Sequence, residues 1–307
     1  MKTFTLRAVL IAGFSAGLLY SCSKLQGVSP TKTSTTITTS GSPTNSNTAT
    51  AVCDYDYDET QLTNNGWTKT FDDEFTGNLS NWTVFTGGVT NELECNEPAN
   101  VQILNGALQI SAVQQTVTGP TTVGSSTNSS FSWTSGSIVC NSSISANATT
   151  PKVMIVARVK VVSGYGLTSL FNSYGTSWPT NGQINYFQVS GDYPNEYATD
   201  YFWGNTPGAN QVQNAFYFDP TNADLSTCWH VFMTEWTKTS LDYYLDGQLV
   251  ETKTAGGDVP NLFGTVQNLA LSLPIGGLYY QNLVAANVQA GTFYIDYVKV
   301  FTNTSAN

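Results

Sequence analysis

The sequence predicts an all-β fold, a sandwich of two β-sheets, for the segment from about residue 53 to about residue 302. After the N-terminal apolar run, the chain has no long stretch with the 3.6-residue hydrophobic period of an amphipathic helix. Short runs of alternating apolar and polar residues recur instead, separated by Gly, Asn, Asp and Pro. Many short strands of this kind are typical of a two-sheet sandwich.

Two dipeptides predict tight hairpin turns within this pattern. Asn105-Gly106 and Asp246-Gly247 each lie between two alternating runs, which is the strongest short-range signal for a hairpin. The strands that we predict around these turns and elsewhere are Val101–Leu104, Ala107–Ile110, Lys152–Val162, Leu241–Leu245, Gln248–Val250 and Phe293–Phe301.

The N-terminus has the pattern of an export signal. Lys2 and Arg7 accompany an apolar run over residues 8–19, which is too short to span a bilayer. The run ends in Leu-Tyr-Ser-Cys, which resembles a bacterial lipobox, so we expect cleavage before Cys22 and lipid attachment to it. The alternative is an ordinary secretory signal in which Cys22 is incidental.

The chain is therefore expected to have three segments. Residues 29–50 are almost entirely Ser, Thr, Asn, Gly and Pro, a composition that cannot bury apolar surface and favours a flexible linker. The predicted segments are a signal peptide, 1–21, a lipidated Cys with its linker, 22–52, and a folded domain, 53–307. This organisation predicts a lipid-anchored protein of the cell envelope, at the outer membrane or cell surface of a Gram-negative bacterium.

The composition favours a neutral sugar polymer as the partner. The net charge is −10 and charged residues make up 10% of the chain, while Tyr and Trp number 16 and 7. Such a surface disfavours binding to nucleic acid and to anionic polysaccharides. Neutral glycans bind instead through ring stacking and hydrogen bonds. We expect a monomer without a nucleic-acid partner.

The cysteines fit an exported protein. Besides Cys22 the chain has four, Cys53, Cys95, Cys140 and Cys228, and an even number in an exported chain suggests two disulfides with three alternative connectivities. Metal binding by these cysteines is disfavoured because no CxxC pair occurs and the chain has 1 His.

Several short motifs occur in a fixed order along the chain. Each is weak alone, but the ordered set resembles glycoside hydrolase family 16, the laminarinase, lichenase and agarase group, over about residues 66–302. The resemblance implies a concanavalin-like jelly-roll β-sandwich with an open concave cleft for a glycan. The motifs are Phe71–Gly77, Leu79–Trp82, Asn91–Glu94, Thr134–Ile138, His230–Trp236 and Asp296–Val300.

The strand that carries the family's catalytic acids departs from the family pattern. Family members have Glu, Asp and Glu where this chain has Gln183, Asn185 and Gln188. Retaining hydrolysis needs one carboxylate to attack and one carboxyl to donate a proton. An amide does neither. The resemblance thus implies a non-catalytic glycan-binding protein; the alternative is an active or residual endo-β-1,3-glucanase-like enzyme with a remodelled site that uses Asp200 or Glu92.

The resemblance also places polar and aromatic side chains beside the cleft. These would bind a neutral β-linked glycan and, for an anchored protein, pass it to glycan-uptake partners. For each aromatic residue the alternative is a core or rim position, and for the three amides it is a buried network without a ligand. The candidates are Asn91, Glu92, Trp133, Tyr165, Trp178, Gln183, Asn185, Gln188, Asp200 and Trp203.

Two further expectations follow from the resemblance. Family members often bind a structural Ca²⁺, and the matching residues here are Glu74, Gly106 and Asp296; the alternative is that these residues cap turns without metal. No cofactor is required. The implied fold also favours a Cys95–Cys140 disulfide, with Cys53–Cys228 as the second pair.

Overall fold

The computed structural model describes residues 50–208, 212–213, 218–254, 257–277, 280 and 282–305. These residues form nineteen strands and very little helix, so the predicted all-β fold is confirmed. Within these ranges, no helix is long and apolar enough to span a bilayer. The predicted signal peptide, Cys22 and the linker up to residue 49 lie outside the described residues. The helical pieces are an α-helix, Thr60–Thr63, and 3-10 turns at Pro98–Asn100, Val259–Leu262 and Ala285–Asn287.

The strands are numbered in chain order. The first ten are β1 Thr68–Asp73, β2 Trp82–Val84, β3 Gly87–Gly88, β4 Glu94–Asn96, β5 Val101–Leu104, β6 Ala107–Pro120, β7 Asn128–Ser135, β8 Ser137–Ile144, β9 Lys152–Lys160 and β10 Thr168–Tyr174. The others are β11 Gln183–Ser190, β12 Glu196–Trp203, β13 Val212–Gln213, β14 Phe218–Pro220, β15 His230–Trp236, β16 Ser240–Leu245, β17 Gln248–Thr254, β18 Gln267–Ser272 and β19 Gly291–Asn303.

The strands form two sheets. The back sheet has the order β17-β16-β15-β9-β19-β6-β7-β4-β3, with β1 also paired to β19 and β5 to β6. The front sheet has the order β13-β12-β11-β10-β18-β8-β2, with β14 also paired to β12. Nearly all pairs are antiparallel, and the exception is β4 with β7. This arrangement is the predicted sandwich.

A continuous apolar core fills the space between the sheets. Side chains alternate along each strand, so every second residue points inward. In β9 the inward set includes Val153, Ile155 and Ala157, which all belong to the core between the sheets. Met154 and Val156, which alternate with them, are also buried, but in a second cluster on the outer face of the back sheet.

The chain before β1 covers this outer face. We call residues 51–67 the strap. Its Leu62 is buried in the second cluster, and its Tyr55, Tyr57 and Trp67 pack against that cluster. Ala51 already reaches the main core, so the folded segment begins slightly before the predicted boundary at residue 53. Burial of this apolar surface fixes the strap to the back sheet.

One disulfide closes the strap onto the back sheet. Cys53 and Cys228 are bonded to each other, 175 residues apart in sequence. Cys95 and Cys140 are both free and buried, so the expected bridge between them is wrong. Cys95 lies in β4 of the back sheet and Cys140 in β8 of the front sheet, and the two strands are not neighbours.

Both predicted hairpins are present with the expected turn chemistry. Asn105-Gly106 joins β5 to β6, and Asp246-Gly247 joins β16 to β17. All four turn residues have positive φ, between 48° and 77°. A two-residue type I′ turn needs this conformation at both positions, which Asn, Asp and Gly adopt most easily.

Leu62→Ala tests the structural role of the strap. Leu62 is 5% exposed, so truncation should lower the free energy of unfolding by about 2–4 kcal/mol in urea titrations. Leu104→Ala is the matched control, because Leu104 is 47% exposed and its truncation should cost well under 1 kcal/mol. Equal losses in the two variants would contradict a packed strap.

Candidate functional site

An extra residue in β11 sets which side chains reach the outer face of the front sheet, called here the front face. The register with β10 shifts between Phe171 and Asn172, so that Asn185 and Phe187 lie opposite successive residues and Tyr186 is bulged. Tyr186 and Phe187 both enter the core. The three-residue spacing from Asn185 to Gln188 therefore returns Gln188 to the front face, as in a β-bulge.

Gln183, Asn185 and Gln188 consequently share the front face with partners on the two neighbouring strands. Directly opposed residues of an antiparallel pair lie on the same face. The three cross-strand rows, each given in the order β10, β11, β12, are Leu170 with Gln188 and Ala198; Asn172 with Asn185 and Asp200; and Tyr174 with Gln183 and Phe202.

A directed chain of hydrogen bonds runs through two of the amides. The Trp178 indole Nε1 donates to Gln183 Oε1 over 2.8 Å, and Gln183 Nε2 donates to Asn185 Oδ1 over 2.7 Å. Because the Asn185 oxygen is used as the acceptor, its NH₂ group points away from Gln183. The chain of donors thus ends on the Asn185 amide.

Asn185, at the end of this series of hydrogen bonds, and the nearby Gln188 are buried, and some of their amide atoms have no partner in the described part of the protein. Asn185 is 0% exposed and Gln188 is 2% exposed. Asn185 Nδ2, Gln188 Nε2 and Gln188 Oε1 have no hydrogen-bond partner among the described residues. An unsatisfied buried polar group costs about 1–3 kcal/mol, so these atoms favour a ligand or water that supplies the missing bonds.

Aromatic side chains surround the partly exposed end of this row of amides. Trp178 is partly exposed, and its ring centroid lies 6.2 Å from that of Phe202. Tyr174 and Phe202 flank Gln183 on the two neighbouring strands. Burial raises the pKa of Tyr174 to about 12, so its phenol stays neutral and can donate a hydrogen bond. Phe202 was not among the predicted site residues, although its alternation with Asp200 along one strand could have identified it.

Two predicted aromatic ligands pack against the core rather than on the front face. Trp133 is 5% exposed and belongs to the core between the sheets, so its prediction as a glycan ligand is wrong. Trp203 also packs against this core. It follows Phe202 directly, and adjacent strand residues point to opposite faces. The front face therefore receives Phe202 rather than Trp203.

Tyr165 lies at the other end of the front sheet, beyond β10. Its hydroxyl accepts a hydrogen bond from Val284 N over 3.1 Å, and its ring contacts Tyr280 edge to face at 5.9 Å. Tyr280 donates to Asp192 over 2.6 Å. The structure thus places Tyr165 in a separate loop cluster rather than beside the three amides.

Asp200 is the carboxyl that lies directly across from one of the amides, in the pairing of β11 with β12. It is fully buried opposite Asn185, and its Oδ1 accepts a hydrogen bond from Tyr201 N over 2.7 Å. Glu196 shares the front face of the same strand, four residues away. Two residues four positions apart on one face of a strand are roughly 13 Å apart. The two carboxyls of a glycosidase are at most about 9.5 Å apart.

The predicted glycan ligands Asn91 and Glu92 lie in a pair of adjacent loops, residues 91–94 and 275–277, that we call the wall. Asn91 is exposed at a turn with φ 69°, and Glu92 forms an isolated β-bridge with Gly276. Glu94, buried at 1% exposure, accepts a hydrogen bond from Ile275 N over 3.0 Å. This contact and the bridge fix the loop of residues 91–94 against residues 275–277.

Glu92 and Glu94 form a coupled acid pair in this wall. Burial raises the pKa of both, and the nearby Glu92 carboxylate raises the pKa of Glu94 further, well above its ordinary value. Glu94 is therefore the member of the pair whose protonated form is favoured more by its surroundings.

The expected calcium site does not fit the residues present. Glu74 pairs with Lys299 Nζ at 2.7 Å, and Asp296 pairs with Arg158 Nη1 at 2.6 Å. Gly106 is at the tip of the β5–β6 turn. A divalent cation would have to displace two cationic side chains. Among the residues described, no three His, Cys, Asp or Glu side chains are grouped to hold a metal ion.

Comparison with known proteins identifies a family for this arrangement. Residues 95–299, more than half of the chain, match the model of the glycosyl hydrolases family 16. The endo-beta-1,3-glucanase from Pyrococcus furiosus is 25% identical, with a TM-score of 0.65, covering 78% of this chain and 96% of that chain. A family 16 protein from a Bacteroides ovatus mixed linkage glucan system, solved with a product, is 21% identical, with a TM-score of 0.61, covering 75% and 99%.

A longer protein also shows the similarity. The clotting factor G alpha subunit of Tachypleus tridentatus is 23% identical over 256 residues, which are 78% of this chain. The match spans 35% of that protein's own length. The shared region is thus one part of a larger relative.

Glu94→Gln tests the acid pair through the pH dependence of stability. A carboxyl whose pKa is higher in the folded than in the unfolded state stabilises the fold at low pH and loses that contribution as pH rises. The glutamine that replaces Glu94 stays neutral at every pH, so the variant should be at least about 1 kcal/mol more stable than wild type at pH 8 and similar at pH 4. Urea titrations at both pH values measure this.

Glu97→Gln is the matched control, since Glu97 is only partly buried. It should change stability little, and equally, at the two pH values. A Glu94→Gln variant whose stability falls with pH as steeply as that of wild type would contradict the protonated pair.

Proposed function

Because the chain belongs to glycosyl hydrolase family 16, we propose that its folded part binds a neutral β-linked glycan on the front face without cleaving it. The single observation that carries the proposal is the set of amide atoms on Asn185 and Gln188 that are buried without partners in the described structure. Sugar hydroxyls both donate and accept hydrogen bonds, so one glycan residue can satisfy a free NH₂ group and a free carbonyl together.

The aromatic side chains around Gln183 support a sugar as this ligand. Trp178, Tyr174 and Phe202 are all partly exposed on one side of the amide row. Aromatic faces stack on the C–H groups of pyranose rings, which suits an uncharged saccharide. Gln183 is the one amide of the three that is partly exposed, so a ligand would contact it first.

The polar groups of the front face support binding over hydrolysis. The three positions that resemble the family's catalytic triplet hold amides, which cannot attack as anions or donate a proton at useful pH. Asp200 is one carboxyl, and the spacing to Glu196 exceeds that of a glycosidase pair. The competing proposal, an endo-β-glycosidase with a remodelled site, would have to use Asp200 or Glu92.

We propose that this binding takes place at the cell envelope. The lipobox-like sequence at Cys22 and the Ser/Thr-rich residues that follow suit a lipid anchor with a linker. A binding protein held in this way would keep glycan chains near partner hydrolases and transporters. Two similar proteins are named for β-1,3-glucan and for mixed linkage glucan, and we expect this protein to bind a glycan of the same class.

Trp178→Ala should weaken glycan binding at least tenfold. The change removes both the stacking surface and the hydrogen bond that orients Gln183. Calorimetric titrations with laminarin and barley β-glucan measure it, and Trp178→Phe, which keeps a ring, should show a smaller loss. Trp229→Ala is the matched control on the back sheet and should leave affinity unchanged. Equal affinity of wild type and Trp178→Ala would contradict this site.

Restoring the acids tests why the wild type should not cleave. Wild type should release no reducing ends from laminarin or barley β-glucan, whereas Gln183→Glu, Asn185→Asp and Gln188→Glu combined should release them. The single Gln183→Glu variant lacks a proton donor and should stay inactive. Release over many turnovers by wild type, lost in Asp200→Asn, would favour the remodelled glycosidase.

A further inference from the structure

The disulfide on the back sheet lies beside a buried His–Asp pair. Cys228 Sγ is 3.5 Å from His230 Nε2, and His230 Nδ1 is 2.8 Å from Asp246 Oδ2. His230 is 0% exposed and Asp246 is 4% exposed, whereas Cys53, the other half of the disulfide, is exposed. The bridge therefore joins an exposed residue to a buried one.

The hydrogen bonds of Asp246 fix the orientation of the imidazole. Its carboxylate accepts Val231 N and Val52 N, each over 2.8 Å, in addition to the His230 ring. With the Nδ1 proton directed to a carboxylate, Nε2 is the nitrogen that faces the sulfur. The order sulfur, imidazole, carboxylate is the arrangement that stabilises a cysteine thiolate.

We propose that the Cys53–Cys228 bridge is a thiol–disulfide exchange site, in which a dithiol attacks Cys53 and the His230–Asp246 pair holds the departing Cys228 sulfur as a thiolate. The accessible sulfur receives the nucleophile, and the shielded sulfur is the leaving group. This site is on the back sheet, so it is independent of glycan binding on the front face.

The exchange balances as two steps. One thiol of the dithiol attacks Cys53 Sγ, the S–S bond breaks, and its electron pair passes to Cys228 Sγ. The attacking thiol reacts as its thiolate, after it has lost its proton to solvent, and one proton taken up by His230 Nε2 gives a thiolate–imidazolium pair at Cys228. In the mixed disulfide, one sulfur of the dithiol is bonded to Cys53. The second thiol of the dithiol attacks that sulfur, which releases Cys53 as a thiol and the reagent as a cyclic disulfide.

The strap keeps other attachments when this bridge opens. Arg158 Nε donates to Tyr55 O over 2.7 Å, and Tyr297 donates to Asp56 over 2.8 Å. Leu62 remains buried in the second cluster. The reduced protein should therefore stay folded, and exchange can be followed on the native structure.

The other charged and titratable groups near the site come from the strap and from β9. The Arg158 guanidinium of β9 donates to Asp54 O and Tyr55 O, and it lies over the Trp229 ring, as does Lys160 Nζ. Asp54 Oδ1 accepts a hydrogen bond from Trp229 N over 3.2 Å. Burial, together with the Asp246 charge, raises the pKa of Tyr55, so this phenol stays neutral through the range of the test.

The pH dependence of reduction in the wild-type full chain tests the proposal. Dithiothreitol reduces the bridge through its thiolate form, whose concentration changes with pH. The observed rate constant of reduction is therefore divided by the fraction of dithiothreitol that is thiolate at each pH. For a leaving sulfur held by an imidazolium, this corrected constant should rise at least fivefold as pH falls from 8 to 5. A corrected constant that is independent of pH would overturn the proposal.

The leaving thiol is tested directly in Cys53→Ser. Alkylation of Cys228 by iodoacetamide, followed by peptide mass spectrometry, separates it from the buried Cys95 and Cys140. Its midpoint should lie below about 8.5, the value of an ordinary thiol. Adding His230→Gln should move the midpoint upward by at least one pH unit, while Asp54→Asn should leave it unchanged. An ordinary midpoint, or one insensitive to His230, would overturn the proposal.

Discussion

The bulge at Tyr186 decides what the front face can bind. Without the extra residue, Gln188 would point into the core and Phe187 would face outward, because side chains alternate along a strand. The shifted register instead gives the core two consecutive aromatic residues and brings three amides onto one face. Packing of Tyr186 and Phe187 between the sheets therefore stabilises the same geometry that presents Gln183, Asn185 and Gln188.

The directed hydrogen bonds explain why amides behave differently from acids at these positions. Each amide has a donor end and an acceptor end, so the bond from Trp178 orients Gln183, and Gln183 in turn orients Asn185. The amide atoms that remain, Asn185 Nδ2 and both ends of the Gln188 amide, are buried without a partner in the described structure. Three carboxylates so close together would repel one another and would need a proton or a bound cation.

Local turn chemistry was readable in the sequence, whereas long-range placement was not. Asn105-Gly106 and Asp246-Gly247 specify their hairpins because the turn residues alone determine the backbone conformation. The face occupied by Trp203 is an intermediate case, because alternation with Asp200 along one strand assigns Phe202, rather than Trp203, to the front face. The expected bridge between Cys95 and Cys140 failed because strand order determines which sheet each cysteine joins. The bulge was likewise invisible, since apolar residues at 186 and 187 fit either face.

The most direct test of the central claim observes the side-chain NH₂ groups themselves. In ¹H–¹⁵N spectra, the signals of Asn185 and Gln188 can be assigned by their loss in Asn185→Asp and Gln188→Glu. On titration with a soluble β-glucan oligosaccharide, both signals should shift in a saturable way while the sugar's anomeric signals show no new reducing ends. Unshifted NH₂ signals at saturating glycan, or new reducing ends accumulating over many turnovers, would contradict binding without cleavage at this site.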